Sequence, residues 1–214
     1  MGNIVIRPFR REDRAEVRRI SCQTAFLEVD LHKFFSDEEI LADALTLSFT
    51  DHEPESCFVA VSDNKVIGYI IGSKNVANIN RISGSKIIIP LLIKAFRRGI
   101  FWNKINLKLF FNVIRSAFKG EFVMPDFSKD FPATLHINID KAYRGQRIGE
   151  RLIETYLNFL KEQKISAVHL GTFSEGAKTF FLKQGFNILF KSKRTYLKPY
   201  IDQEINFYIL GKKL

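Results

Sequence analysis

The run from Ala133 to Thr172 constrains this chain more than any other stretch. "ATLHINID" alternates apolar and polar residues with the period of a strand. "AYRGQRIGERL", Ala142 to Leu152, comes next and passes into a helical repeat. That repeat turns Ile148, Leu152, Ile153, Tyr156, Leu157 and Leu160 inward. "SAVHLGTF" then reads as strand again. A strand, a long amphipathic helix and a second strand imply a parallel pair joined by a crossover, with a ligand crevice at the strand ends.

The joint between strand and helix has a chemistry of its own. The first N–H groups of a helix have no internal partners, and the helix dipole adds positive character there, so such an end suits phosphate. Gly145 and Gly149 lack side chains that would hold an anion off the backbone. Arg144 and Arg147 bring forked cationic donors and Gln146 brings an amide. The joint is neither a Walker loop nor the dinucleotide glycine fingerprint. Taken alone it reads either as an anion cradle or as an ordinary turn.

Elsewhere the pattern is strand, helix, helix, strand, strand over residues 1–73. "NIVIRPF" is a short strand ended by Pro8, and a charged helix comes after it. Ser36 is expected to cap a second helix whose first turn carries Asp37, Glu38 and Glu39. "CFVAVSDNKVIGYIIGS" is a hairpin turning at Ser62–Lys65. Near the C-terminus "SEGAKTFFLKQG" is a helix ending at Gly185, and two strands close the chain.

Charge is uneven. The chain's net charge is +10, yet no Asp or Glu occurs from Asn64 to Gly120, where eleven Lys and Arg lie. The remainder sums to about −1, because 10 − 11 = −1. Within this basic segment Lys104, Lys108, Asn112, Arg115 and Lys119 share one helical face, and Leu107, Phe110, Phe111, Ile114 and Phe118 lie opposite. The plainer reading packs that apolar stripe on the core. The sharper one makes the segment a membrane-surface, acidic-partner or substrate-covering element. No apolar run reaches the ~20 residues of a bilayer span. "MGNIVIRPF" lacks the form of an export signal, and Cys22 and Cys57 match no metal spacing. Reduced thiols and a cytoplasmic location are expected.

Read together, the joint and the Ser174–Phe186 run downstream of it resemble the GNAT superfamily of acyl-CoA-dependent N-acyltransferases. The family's Gln/Arg-x-x-Gly-x-Gly/Ala signature is matched by Arg144-Gly145-Gln146-Arg147-Ile148-Gly149, with Arg147 in place of a glycine. Its Asn-x-x-Ala-x-x-Phe-Tyr-x-x-x-Gly-Phe run is matched from Ser174 to Phe186. The resemblance covers residues 131–214 specifically, and residues 1–73 are compatible with it. It implies an α+β (α/β/α) fold: a mixed, mostly antiparallel central sheet with a parallel pair at the CoA crevice. It also implies a single domain over 1–214 with a basic helical insertion at about 74–130.

For function, the resemblance implies direct transfer of an acetyl group from acetyl-CoA to an amine of a small molecule or peptide. Backbone around Asn138 and Ile139 would bond the pantetheine arm. Arg144 to Gly149 (Arg144, Gly145, Gln146, Arg147, Ile148, Gly149) would hold the pyrophosphate. Ser174, Ala177 and Phe181 would line the arm and sulfur, with no metal involved. Phe181 stands where the family often has a proton-donating tyrosine, so Tyr196, Tyr200, Tyr143 or water would serve instead. His136 is the candidate base, on one strand face with Asn138 and Asp140, because imidazole accepts protons near neutral pH. His169 is expected to be structural. Glu28, His32, Phe34 and Phe35 are candidates for the acceptor pocket. A CoA-binding module without chemistry is the alternative, and a basic-helix binder of membrane or nucleic acid is a third reading. Nucleic acid is not expected, since no aromatic platform interleaves the charges. Contact with a membrane surface and a homodimer are left open.

Overall fold

The computed structural model of the chain describes residues 3–25, 30–201 and 204–214. Seven strands form one sheet in the order β1-β2-β3-β4-β5-β7-β6. They are β1 (Val5–Pro8), β2 (Cys57–Ser62), β3 (Lys65–Ser73), β4 (Ala133–Ile139), β5 (Ala167–Thr172), β6 (Asn187–Arg194) and β7 (Ile205–Lys213). All neighbours are antiparallel except β4 and β5, which run parallel as expected. The β2–β3 hairpin turns on Asp63 and Asn64 at φ 48° and 61°. That left-handed pair matches the twist of the strands, and short polar side chains tolerate it.

Helices cover both faces. α6 (Ile148–Glu162) and α7 (Glu175–Lys183) lie over one. The inward residues expected of α6 are all buried, packed with Ile67, Ile70, Leu135, Val168 and Leu170 from the sheet. α1 (Arg14–Thr24) and α2 (Glu38–Thr50) cover the other face, where Val17, Ile20 and Phe49 meet Val59, Tyr69 and Ile71. The strand alternation sends Ile70 to one cluster and Tyr69 and Ile71 to the other. Asp37, not Ser36, caps α2, accepting from the Ile40 N–H at 3.0 Å. Ser36 is taken by Asn106 instead: its N–H donates to Oδ1 at 2.9 Å, and its Oγ accepts from Nδ2 at 2.8 Å.

The basic segment is an excursion between two adjacent strands. It leaves β3 at Lys74 and returns at Pro132, where the Val76 N–H donates to the Pro132 carbonyl at 2.7 Å. Helix α3 (Val76–Ile82) runs through a π turn (Ser83–Ile87) into α4 (Ile88–Arg97). Pro90 lacks an N–H and crowds the carbonyl one turn back, and the widened turn just before it absorbs that mismatch. The whole run, Val76–Arg97, is long and apolar enough by length and composition to cross a membrane, which the apolar runs in the sequence do not suggest. Here it lies along the domain, with Ile79, Ile87 and Ala95 buried. Gly99, at φ 73°, ends it, and α5 (Lys104–Phe118) comes next. A last short helix, α8 (Lys198–Ile201), joins β6 to β7.

Two kinds of contact hold the excursion down. Ala95, Ile100 and Leu109 pack with Phe34, Phe35, Ile40, Tyr196, Leu197 and Ile205 in a separate apolar cluster. Ionic contacts add to this. Asp43 on α2 receives Lys94 of α4 at 2.6 Å and Arg18 of α1, and Asp37 receives Arg98. At the far end Glu121 accepts from the Thr195 N–H at 2.7 Å and its hydroxyl at 2.6 Å. Of the expected apolar stripe of α5 only Phe110 packs, against Phe101 at 5.8 Å. The packing face is Asn106, Leu109, Val113 and Ser116, while Leu107, Phe111, Ile114 and Phe118 are exposed.

Burial alone would push the Asp43 carboxyl up, but its bonds to Lys94 and Arg18 outweigh this and hold it below 3.8. A lowered carboxylate stabilises the fold above its unfolded pKa and loses that contribution as pH falls through the folded one. Asp43→Ala is therefore expected to cost on the order of 2–3 kcal/mol at neutral pH, read from the urea midpoint. The gap to wild type should narrow as pH falls below about 4. Replacing 76–131 by a short turn is expected to yield an aggregating product, since Phe34, Phe35, Leu197 and Ile205 lose their cover. A soluble product with a sharp thermal transition would show that the excursion is dispensable.

Candidate active site

The site begins where two strands part. β4 and β5 are in register only at Ala133–Val168 and Thr134–His169. Beyond Thr134, β4 continues to pair with β3, but its other edge has no strand against it. The Asp140 N–H donates to the Ile67 carbonyl at 2.9 Å. Antiparallel pairs alternate, so Asn138 and His136 also turn their backbone groups to β3. The groups facing the gap are then those of Ile137 and Ile139. The family resemblance pointed to backbone around Asn138 and Ile139, of which Ile139 faces the gap and Asn138 faces β3. It misses Ile137 because the β3–β4 register cannot be seen across the excursion.

At the top of the gap the chain turns through Lys141–Tyr143, a single 3-10 turn that Asp140 caps by accepting from the Ala142 N–H at 3.2 Å. Gly145 comes after it at φ 77°, and a Cβ added there would meet nothing within 4 Å, so conformation is what requires glycine. Arg147 sits at φ 57°, also left-handed, and serves as the N-cap of α6. A glycine is favoured there for backbone reasons, and the arginine bears a strain of about 1–2 kcal/mol. No side chain caps α6. Arg151 is the residue whose N–H returns to the Arg147 carbonyl, at 3.2 Å. The N–H groups of Ile148, Gly149 and Glu150 therefore open the helix without intrahelical acceptors. A Cβ on Gly149 would meet Phe180 at 3.2 Å and Ile139 at 3.3 Å. Its glycine serves close packing of α6 on α7 and β4 rather than approach to an anion. Arg144 leans back on the Ile139 carbonyl, with Nε and Nη2 both at 3.3 Å.

α7 borders the gap from the β5 side. Ser174 caps it, accepting from the Ala177 N–H at 3.1 Å. Ala177 is half-buried against the core. Phe181 is a core residue, 3% exposed, ringed by Phe180 and Phe186 at 5.2 Å each.

His136, Asn138 and Asp140 do share a face, on the α1–α2 side. His136 lies edge-on to Phe49 of α2 at 5.4 Å. Its side chain is open to water while neighbouring chain crowds the ring. That crowding, with His169 nearby, pulls its pKa below 6.5. The Asn138 amide donates to the Tyr69 hydroxyl at 2.7 Å, and Asp140 receives Arg19 of α1 at 2.9 Å. Arg19 first of all holds the Asp140 carboxyl down. Tyr69, Phe49 and Arg19 were not expected from the sequence. Their only signal is the alternation in β3 and the helical spacing of α1 and α2.

Several candidates go elsewhere. Tyr196 is buried beneath the excursion against Phe122 at 5.8 Å, and burial pushes its phenol up to about 12. The structure thus places it in the second cluster. Tyr200 packs on Phe34 at 5.6 Å, and Lys108 lies over the Tyr200 ring at 5.3 Å. Tyr143 is half-buried in the joint. Phe34 and Phe35 are buried in the same cluster as Tyr196, and His32 meets Glu38 at 3.4 Å. His169 contacts the Phe131 carbonyl through Nδ1 at 2.8 Å. Glu28 lies outside the described residues. Among the described residues no group of three or more His, Cys, Asp or Glu could hold a metal ion.

Comparison with known proteins places this geometry. Residues 117–186 match the model of the acetyltransferase (GNAT) family. A search of curated proteins found no match. Among solved structures the chain is similar to SsHAT, with TM-score 0.73 and 22% identity over 99% of this chain and 98% of that one. It is also similar to the polyamine N-acetyltransferase of Drosophila melanogaster, with TM-score 0.58 and 13% identity over 99% of this chain and 100% of that one. For the ribosomal-protein-S18-alanine N-acetyltransferase of Escherichia coli the values are 0.55 and 14%, over 99% of this chain and 94% of that one. At these identities the structural likeness concerns the fold. The fold is thus shared along the whole chain, and residues 117–186 carry the sequence pattern of the acetyltransferase (GNAT) family.

Proposed function

We propose that this protein is an acetyl-CoA-dependent N-acetyltransferase acting on an amine of a small molecule or peptide by direct attack in a ternary complex. The observation that carries this reading is the parted β4–β5 edge ending at an uncapped helix. The open backbone groups of Ile137 and the N–H of Ile139 are suited to the amides of a pantetheine arm, while the Ile139 carbonyl already accepts from Arg144. The N–H groups opening α6, with Gln146 and Arg147, are suited to a pyrophosphate. Acetyl-CoA supplies an activated thioester.

His136 then acts on the acceptor. Its lowered pKa keeps the imidazole neutral at physiological pH, so it can take a proton from the attacking amine. The amine nitrogen bonds to the acyl carbon, the carbon–sulfur bond breaks, and the sulfur leaves with the electron pair as a thiolate. Phe181 has no proton to give and is buried, so that thiolate takes its proton from a tyrosine such as Tyr143 of the joint, or from water. The related structures include enzymes named for a polyamine and for a ribosomal-protein alanine, so both acceptor classes occur on this fold. The cationic excursion argues against a polycationic acceptor here.

Saturating acetyl-CoA is expected to raise Tm by several degrees, corresponding to about 2.7 kcal/mol at a hundredfold excess over Kd. No shift at millimolar ligand would reject the reading. Arg147→Gly should stabilise the free protein by about 1 kcal/mol through relief of strain while weakening acetyl-CoA binding. An unchanged affinity would remove Arg147 from the cradle. His136→Gln is expected to lower kcat about 100-fold or more and keep the acetyl-CoA shift. In the wild type, rate should fall as pH drops through the lowered His136 value, so the acid limb lies below pH 6.5. A limb unmoved by the substitution would dismiss His136 as base. Tight CoA binding with no turnover on any amine would favour a CoA-binding module without chemistry.

A further inference from the structure

The excursion presents an apolar face to solvent that nothing among the described residues covers. On α4, Ile88, Leu92 and Phe96 succeed one another at turn spacing, flanked by Ile89 and Ile93, and all five are exposed. They lie opposite the packed Ile87, Leu91 and Ala95. On α5, Leu107, Phe111, Ile114 and Phe118 form a second stripe, with Phe111 66% and Phe118 90% exposed. Trp102, 62% exposed, stands between the helices with its ring against Phe96 at 4.8 Å. Ten such side chains, each about half exposed, leave on the order of 1,000 Å² of apolar surface. Soluble monomers usually expose patches of roughly 300–600 Å².

Cations run alongside it. Lys104, Lys108 and Arg115 form the neighbouring stripe of α5, and Lys86 and Arg97 flank α4. Among the described residues none of these five has an ion-pair partner, while the acids nearest the excursion are already taken by Arg18, Lys94 and Arg98. α5 thus has three faces: one packed, one apolar and open, one cationic and open.

We propose that this face docks on an anionic lipid bilayer, with the apolar stripes in the interface and the Lys and Arg side chains reaching the headgroups. Charge complementarity selects this occupant. A second copy meeting the same face across a two-fold axis would set the cations of 64–120 against one another with no acid in that segment to offset them. Trp102 suits an interfacial position, where an apolar ring and a polar N–H both find partners. The helical run Val76–Arg97 lies flat on the domain through its pairs to α2, so it rests on the bilayer instead of crossing it.

Trp102 is the chain's one tryptophan and therefore reports directly. The full chain is mixed with vesicles of phosphatidylcholine alone, or with about a third phosphatidylglycerol, at low and moderate salt. Expected are co-sedimentation and a blue-shifted Trp102 emission with anionic vesicles, both weakened by salt. Phe111→Ser with Phe118→Ser should lower the partition about tenfold and leave Tm unchanged, because both rings are exposed. Lys104→Glu with Arg115→Glu should lower it about tenfold on anionic vesicles only. Absence of binding to anionic vesicles, or equal binding to neutral ones, would overturn the proposal. So would a concentration-dependent dimer that Phe111→Ser with Phe118→Ser abolishes, if vesicles are ignored. Retained acetyl-CoA binding in these variants keeps this test separate from that of the active site.

Discussion

Two parallel strands that stop pairing after two residues set the terms for the rest of this molecule. A sheet edge left open inside a fold carries unmet N–H and C=O groups, and such groups need water or a ligand. Here the gap is held open by the elements on either side of it. β4 is secured to β3 along its length, and β5 to β7. α6 and α7 then brace the parting strands from one face, meeting closely where Gly149 admits Phe180. Opening is thus a property of the frame and not of a flexible loop.

The excursion is the second organising element, and it is bound in rather than appended. Its inner side completes an apolar cluster with Phe34, Phe35 and the β6–β7 connection, and its ion pairs reach back to α2, whose Asp43 also holds Arg18 of α1. The helices bordering the His136 face therefore carry the load of the excursion as well. α2 thus joins the excursion through Asp43 on one side and meets His136 through Phe49 on the other.

Much of this was legible in the residues. α6 could be read position by position because its apolar spacing is strict and its other face is charged. The β2–β3 turn was plain because Asp63 and Asn64 tolerate left-handed backbone. α5 misleads for a definable reason. Its packed face includes Asn106 and Ser116, which are satisfied by Ser36 and Thr195, while its open face carries Leu and Phe. Periodicity separates faces but does not say which one meets protein. Ser36 failed as a cap for the same reason, since its partner lies seventy residues away. In the site, the crevice and the joint emerged from local pattern. The burial of Tyr196 did not, because it is decided by Phe122 and other neighbours remote in sequence.

The clasp at Val76 and Pro132 bears on how the chain reaches this state. Strands that a tight turn could have joined are here separated by some sixty residues, from Ser73 to Thr134. Closing a loop of that length instead of one of about four residues costs roughly 2–2.5 kcal/mol, at about 0.6 per doubling. The β2–β3 hairpin forms on local contacts alone. β3–β4 pairing, and with it the whole C-terminal half of the sheet, must wait on a long-range encounter. Pairing β4 to β3 therefore carries a loop-closure cost that the β2–β3 hairpin does not.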